Sequence, residues 1–355
     1  MTLHAGIDSA GRGSIPAERW LVPRLTLSVE PLRLPLKHAF TIARGSQERS
    51  ESALVRLRWG DLDGLGESAP IARYHEDVAG VTAALRARDL GDDPYAMEPL
   101  LEGLPPAARC ALDTALYDLV GKDCDRPVWR MLGLDPARTP LTSFTIGMAD
   151  PDAVLAKVRE VGDHPVIKVK LGSGAERETL AAIRGIYTGT IRIDANEGWT
   201  PEDAVAILRD LERYDIEFCE QPIPAGTPER LRWIRERSPI PIVTDEDSKD
   251  AADLAALAGC VDGINVKLVK CGGIRGALAM IHTARALGFK IMLGCMVESQ
   301  VLTSAAAALS PLVDWADLDG PFLTASDPFD GITYAGGKIV LNGYPGLGVR
   351  ERVPA

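Results

Sequence analysis

Eight short runs rich in β-branched residues recur along the second part of the chain, at intervals of 22 to 28 residues. They are SFTIGM from Ser143, VIKVKL from Val166, TIRIDAN from Thr190, FCEQPI from Phe218, IPIVTDED from Ile240, GINVKL from Gly263, KIMLGCM from Lys290 and DWADLDG from Asp314. Alanine-rich stretches with helical spacing lie between them. One strand, one loop and one short helix use about that many residues, so the pattern is that of consecutive βα units around a parallel sheet. Eight units predict a barrel of the TIM type. Thr200-Pro201-Glu202-Asp203 fits the frame, offering a helix start with a capping residue, a proline in the first turn and acids beside it. After the last run Pro328, Gly331, Gly336 and Gly337 break the segment, and no clear eighth helix is expected.

Ahead of the repeat, Arg24 to Leu36 and Ala53 to Gly66 alternate like strands, with Gly60-Asp61-Leu62-Asp63-Gly64 as a turn. Ala107 to Val120 carries apolar residues on most sides and reads as a buried helix. These features divide the chain into a flexible extension (1–20), an α+β domain (21–140), the barrel (141–325) and a C-terminal segment (326–355). In that last segment Thr333 to Leu341 is expected to form a closing strand or hairpin that returns to the first domain. With 50 acidic against 39 basic side chains the formal net charge is −11, which argues against nucleic-acid or anionic-membrane partners. Met1 to Arg19 has no apolar core of the roughly 7–15 residues that a secretory signal needs. No apolar run approaches the length of about 18 residues expected of a membrane span. The six cysteines are scattered without a C-x-x-C pair and read as reduced thiols, so the expected setting is cytoplasmic. Assembly into a homo-oligomer is left open.

The C-terminal ends of the strands in a parallel barrel form the active face, so charges found there are candidates for chemistry. Lys168 and Lys170 end the second run, Asp194 and Asn196 the third, Glu220 the fourth, Asp245 and Asp247 the fifth, Lys267 the sixth, and Asp317 and Asp319 the eighth. Within each pair the spacing is i, i+2, which puts both side chains on one face of a strand. Any one of them could be surface charge at a loop start, but ten polar groups at matched ends of six strands are hard to explain that way. The second and sixth strands are opposed across the ring, with Asp194, Glu220 and Asp245 on the arc between them. Three clustered carboxylates repel unless neutralised, and an oxygen-only donor set favours Mg²⁺ or Mn²⁺. A reading in which these acids only pair with Lys168 and Lys270 stays open. A metal flanked by two lysines suits attack on a C–H bond beside a carboxylate, one lysine removing the proton and the other returning it to the opposite face. The neighbouring charge of Lys168 is expected to lower the pKa of Lys170.

The motifs Lys168-Val169-Lys170, Asp194-Ala195-Asn196, Glu220-Gln221-Pro222, Asp245-Glu246-Asp247 and Asn265-Val266-Lys267-Leu268, followed by Lys270-Cys271-Gly272-Gly273, resemble the enolase superfamily and its muconate-lactonising subgroup from about Arg24 to Gly348. Lysine bases working with Mg²⁺ are the known pattern of that superfamily. The stretch from Ala111 to Lys122 is similar to the family's capping-domain helix. The resemblance implies a modified (β/α)₇β barrel under an α+β capping domain, one Mg²⁺ per subunit held by Asp194, Glu220 and Asp245, and Lys170 with Lys267 as the acid/base pair.

Asp317-Leu318-Asp319 is similar to the D-x-D of dipeptide epimerases, which implies that Asp317 and Asp319 receive the substrate's ammonium, with Lys168 also at the substrate. Arg44-Gly45-Ser46 resembles the capping loop of the L-Ala-D/L-Glu epimerases and implies an arginine for a glutamyl side chain. Gly66-Glu67-Ser68-Ala69-Pro70 with Arg73-Tyr74 resembles that group's second capping loop. The implied activity is epimerisation of a dipeptide, Ala-Glu in murein peptide recycling. Cationic or hydrophobic dipeptides, o-succinylbenzoate synthesis and cycloisomerisation remain alternatives. Asp247 stands where the family usually has serine, adding negative charge near the metal position, and Glu298 is read either as a structural acid or as a receiver of a cationic side chain. The Gly272-Gly273 turn could hold an anion, but plain loop geometry is favoured.

Overall fold

The structure, a computed structural model, describes residues 23–42, 45–172 and 174–352. The expected extension and Arg44 lie outside the described residues. Strands β1 (Thr26–Ile42), β2 (Gly45–Trp59) and β3 (Leu62–Ser68) pair antiparallel in that order. The first strand runs past the expected Leu36, because after an irregularity between Pro35 and Phe40 the backbone of Phe40–Ile42 finds partners in Gly45–Gln47. Pairing carries it on where alternation ends.

This sheet packs on the helix Pro106–Asp123, which is buried on most of its sides. Glycines 64 and 66 on β3 face Ala111 and Ala115, one turn apart, and the small residues let two backbones approach closely. A Cβ at Gly66 would lie 2.1 Å from the Ala111 carbonyl oxygen, and one at Gly64 would lie 2.3 Å from that of Ala115.

The eight predicted runs become β4 (Phe144–Ile146), β5 (Val166–Lys170), β6 (Thr190–Asp194), β7 (Ile216–Glu220), β8 (Ile242–Thr244), β9 (Gly263–Val266), β10 (Lys290–Gly294) and β11 (Trp315–Asp317). They form one parallel sheet in sequence order. A parallel bridge between Thr142 and Ala316 joins its outer strands, and the Ser143 N–H donates to the Ala316 carbonyl at 3.1 Å, closing the barrel. Helices fill the crossovers; Pro201–Leu211 begins as expected, with Thr200 accepting the Asp203 N–H. After β11 comes a single turn, Gly320–Leu323, so the architecture is (β/α)₇β with an antiparallel N-terminal sheet. Inside the barrel Phe218, Val243 and Met292 pack with Trp315, and Arg192 crosses from β6 to donate to the Ala316 carbonyl at 2.7 Å.

Two buried carboxylates from the N-terminal region seat on barrel helices. Glu67 of β3 accepts the N–H groups of Ser299 and Leu302 and both the Ser52 and Ser299 hydroxyls, at the start of the helix Gln300–Ala307. Asp113 accepts the Arg275 N–H at the start of the helix Ile274–Ala286. The positive ends of the helix dipoles face these acids. The C-terminal segment forms a hairpin, Thr333–Ala335 with Lys338–Val340, then reaches the helix Pro106–Asp123, where Leu347 donates to Asp118.

Gly66→Ala should destabilise the fold by about 1–3 kcal/mol, because the sheet must lift from the helix to admit one methyl group. Urea unfolding followed by circular dichroism measures it; an unchanged midpoint would show that the close approach is unnecessary.

Candidate active site

Strand register places Lys170 beside Asp194 and Asp194 beside Glu220, so three charged residues from neighbouring strands end at one level. Asp245 follows β8 by one residue and Lys267 follows β9 by one. Three strands separate β5 from β9 in either direction around the closed ring, so Lys170 and Lys267 stand on opposed strands. Above them lies a cavity of about 580 Å³, walled by the barrel mouth on one side and by Phe40, Ser50 and Tyr74 of the N-terminal region on the other. Arg73 of that region forms a two-pronged bond with Glu197 at the barrel end (2.8 and 3.1 Å). The Ser50 hydroxyl donates to the Val297 carbonyl.

Lys168 is 1% exposed and is the hub of the floor. Its Nζ lies 2.6 Å from Glu220, 2.7 Å from Asp317 and 3.2 Å from Asp194. Burial works to discharge it, but the carboxylates of Asp317, Glu220 and Asp194 outweigh burial and hold the ammonium well above the ordinary lysine range. The charge of Lys168 is thus met by three carboxylates. Lys170 itself lies 2.6 Å from Asp194. Asp245 takes Lys267 at 2.8 Å and Lys270 at 2.5 Å. Burial opposes its charge, yet the two ammonium groups hold its carboxyl well below the usual range. Lys267 is raised in turn, against burial, by Asp245 and Glu220.

Among the described residues no three acids, histidines or cysteines converge as a ligand set. Asp194 and Glu220 are drawn onto Lys168 and Asp245 onto Lys270, the pairing that the sequence left open, and Asp245 also takes Lys267. Glu220 shows that this pairing is incomplete. One of its oxygens accepts from Asn265 at 2.8 Å; the other, although 2.6 Å from Lys168 Nζ, is buried without a properly directed hydrogen bond. Burial and the nearby Asp194 push its carboxyl above the usual value despite Lys168. Three carboxylates on adjacent strands, one of them short of compensation, fit an oxygen-preferring divalent cation such as Mg²⁺.

The two acids of Asp317-Leu318-Asp319 have different partners, although they share one spacing. Asp317 is engaged by Lys168 and by the Ser143 hydroxyl, and these outweigh burial to bring its carboxyl down to about 2. Asp319 accepts the Thr145 N–H at 2.6 Å and lines the cavity; burial, and Asp317 beside it, push its carboxyl up to about 6. Asp319 is thus an acid in want of a cation.

Two further acids near the site have local partners. Asp247 turns away from the carboxylate row, accepting the Gln221 side-chain amide and the Gly226 N–H, both at 2.7 Å. It braces Gln221, whose backbone is left-handed (φ +35°) and whose amide oxygen accepts the N–H groups of Asp245 and Glu246. Glu298 does not line the cavity; it is buried, accepts the Met296 N–H and the Thr303 hydroxyl, and is pushed well above the usual range by burial and by Glu67. Asn265 and Gln221, which stand in the motifs quoted above without an assigned role, support the site together with Ser143. Asn265 was accessible to the same i, i+2 rule that placed Lys267; Ser143 and Gln221 act across strands and carry no local signal.

The family model described as "Enolase C-terminal domain-like" matches residues 152–352. A protein of Bacteroides thetaiotaomicron named L-Ala-D/L-Glu epimerase is 38% identical over 338 residues, covering 92% of this chain and 88% of its own length. One of Roseobacter litoralis named hydrophobic dipeptide epimerase is 33% identical, covering 89% of this chain and 95% of its own. The crystal structure of a dipeptide epimerase from Enterococcus faecalis, complexed with Mg and the dipeptide L-Leu-L-Tyr, superposes with a TM-score of 0.86 at 32% identity, covering 92% of this chain and 99% of that one.

Proposed function

The chain belongs to the enolase superfamily, within its "Enolase C-terminal domain-like" family, and from that premise we propose that it is a dipeptide epimerase in which Lys170 and Lys267 move the α-proton of the C-terminal residue. The reading is carried by two lysines ending opposed strands, on either side of a row of carboxylates. Asp194, Glu220 and Asp245 would hold Mg²⁺, which supplies positive charge against the substrate carboxylate as the α-proton leaves. Each lysine serves one face of the α-carbon, holding the proton it takes or delivering the one it carries. Lys168 keeps the floor charged and anchors Asp317, while the region above the barrel walls off water. Asp319 receives the ammonium of the N-terminal residue, the cation that its environment lacks. Among the described residues no helix is long and apolar enough to cross a membrane.

Nuclear magnetic resonance of dipeptides in D₂O tests the reaction. The protein with Mg²⁺ should exchange the α-proton and interconvert both stereoisomers, and a chelator should stop both processes. Lys170→Ala and Lys267→Ala should each abolish epimerisation while retaining exchange with one isomer only. If either variant interconverts both isomers at the parent rate, the two-base assignment fails.

Asp319 sets the pH window. Its raised pKa leaves it neutral below about pH 6, whereas the dipeptide amine is cationic below roughly pH 8. The pair exists between those limits, so kcat/KM should fall on the acid side through about pH 6, with binding releasing a proton there. Asp319→Asn should lower kcat/KM overall and remove that acid limb. An acid limb unchanged in the variant would assign it to another group.

For the side chain we propose a glutamyl residue. Arg44 offers a rigid fork for a carboxylate, and the buried position of Glu298 removes the argument for a cationic dipeptide. Ala-Glu should exceed Ala-Gln, Ala-Lys and Ala-Leu by about 10- to 150-fold in kcat/KM, the worth of charge-assisted bonds of about 1.5–3 kcal/mol. Arg44→Ala should erase the preference; a preference for Ala-Leu or Ala-Lys would refute this choice alone.

A further inference from the structure

The buried carboxylate of Asp113 takes no part in the chemistry described above, yet it touches the segment that carries Lys267. It projects from the middle of the helix Pro106–Asp123, where its Oδ2 accepts the Arg275 N–H at 3.3 Å at the start of the helix Ile274–Ala286. Its Oδ1 is buried with no hydrogen-bond partner, so one oxygen does the holding. Gly272 (φ +82°) and Gly273 (φ +96°) lie against the same helix. A Cβ on Gly273 would meet Asp113 Oδ2 at 2.4 Å, and one on Gly272 would meet Arg109 Cδ at 2.8 Å. The glycine turn is therefore moulded onto the side chains of Asp113 and Arg109.

From that turn back to Lys267 the backbone is one hydrogen-bonded piece. The Lys267 carbonyl accepts the N–H groups of Lys270 (3.0 Å) and Cys271 (3.2 Å), and the Leu268 carbonyl accepts those of Gly272 (3.0 Å) and Gly273 (2.8 Å). Holding Gly273 thus holds Lys267, whose Nζ meets Asp245 at 2.8 Å. The end of β5 is held differently, from within the barrel: Leu171 N–H donates to the Asp194 carbonyl (2.8 Å) and Gly172 N–H to Glu176 (3.1 Å).

We propose that Asp113 is a positioning residue for Lys267, so that the docking of the N-terminal region on the barrel sets the efficiency of one of the two proton transfers and not the other. The proposal rests on the two-lysine reading above. A shift of about 1 Å in a reacting group can cost two orders of magnitude in rate, and a loosened glycine turn would pass its displacement along its hydrogen-bonded segment to Lys267, a segment that Lys170 on β5 does not share.

Measurement of α-proton exchange in D₂O, with each stereoisomer of one dipeptide as the sole substrate, tests the proposal. The isomer served by Lys267 is the one that Lys170→Ala still exchanges. Asp113→Ala should lower kcat for that isomer by about 10- to 100-fold with KM nearly unchanged, and should leave exchange of the other isomer within about two-fold. Asp113→Asn, which keeps an acceptor on the helix start, should recover most of the loss. Gly273→Ala, which forces a methyl group against the carboxylate, should reproduce the asymmetry should Asp113→Ala fail to fold. Equal losses for both isomers, or no loss for either, would overturn the positioning role. Absence of exchange in the unaltered protein with Mg²⁺ would instead overturn the reaction reading and remove the premise of this one.

Discussion

The mouth of the barrel exists because charges that could not be buried singly are buried together. Lys168 touches Asp194, Glu220 and Asp317, which come from three different strands. Removing one partner from such a group strands another charge without water, which is far more costly than the pair is worth on the surface. Strand register is what makes the grouping possible: Lys170, Asp194 and Glu220 stand at one level only if β5, β6 and β7 pair without a slip at their ends. A slip of one residue would turn the carboxylates out of the mouth.

Compensation in that cluster is uneven, and the unevenness is where ligands fit. Asp317 and Asp245 are held well charged by lysines, whereas burial and like charge push Glu220 and Asp319 up. Glu220 belongs to the row suited to a divalent cation, and Asp319 faces the cavity, where a ligand's ammonium would complete it. Of these two acids only Asp319 lines the cavity, so it is the one that a ligand's ammonium can reach.

The same logic joins the N-terminal region to the barrel. Glu67 and Asp113 are completely buried acids, each set at the start of a barrel helix where backbone N–H donors and the helix dipole offset part of the burial that pushes both carboxyls up. Apolar contact could hold the two parts together at many angles. A carboxylate on a helix start accepts few, so the region that closes the cavity is also the one aligned with the segments that carry Lys267 and Val297.

Much of the fold and of the site could be read from the sequence, since the signals are local. The spacing of eight β-branched runs follows from the length of a βα unit, and i, i+2 spacing puts Lys168 with Lys170 and Asp317 with Asp319 on one strand face because side chains alternate along a strand. What tertiary structure decided was the partner of each charge. Asp317 and Asp319 look alike in the sequence, but only Asp317 falls beside Lys168 across the closed barrel. Glu298 and Asp247 stand near the strand ends in sequence, yet one is spent on its own loop and the other on Gln221. The helix start beyond Gly272-Gly273, open to any anion in the sequence, takes a carboxylate from more than 150 residues earlier in the chain. Which face a side chain takes is settled by its nearest neighbours in the chain, whereas charge compensation depends on strands and domains far apart in sequence, so the first could be read directly and the second needed the fold.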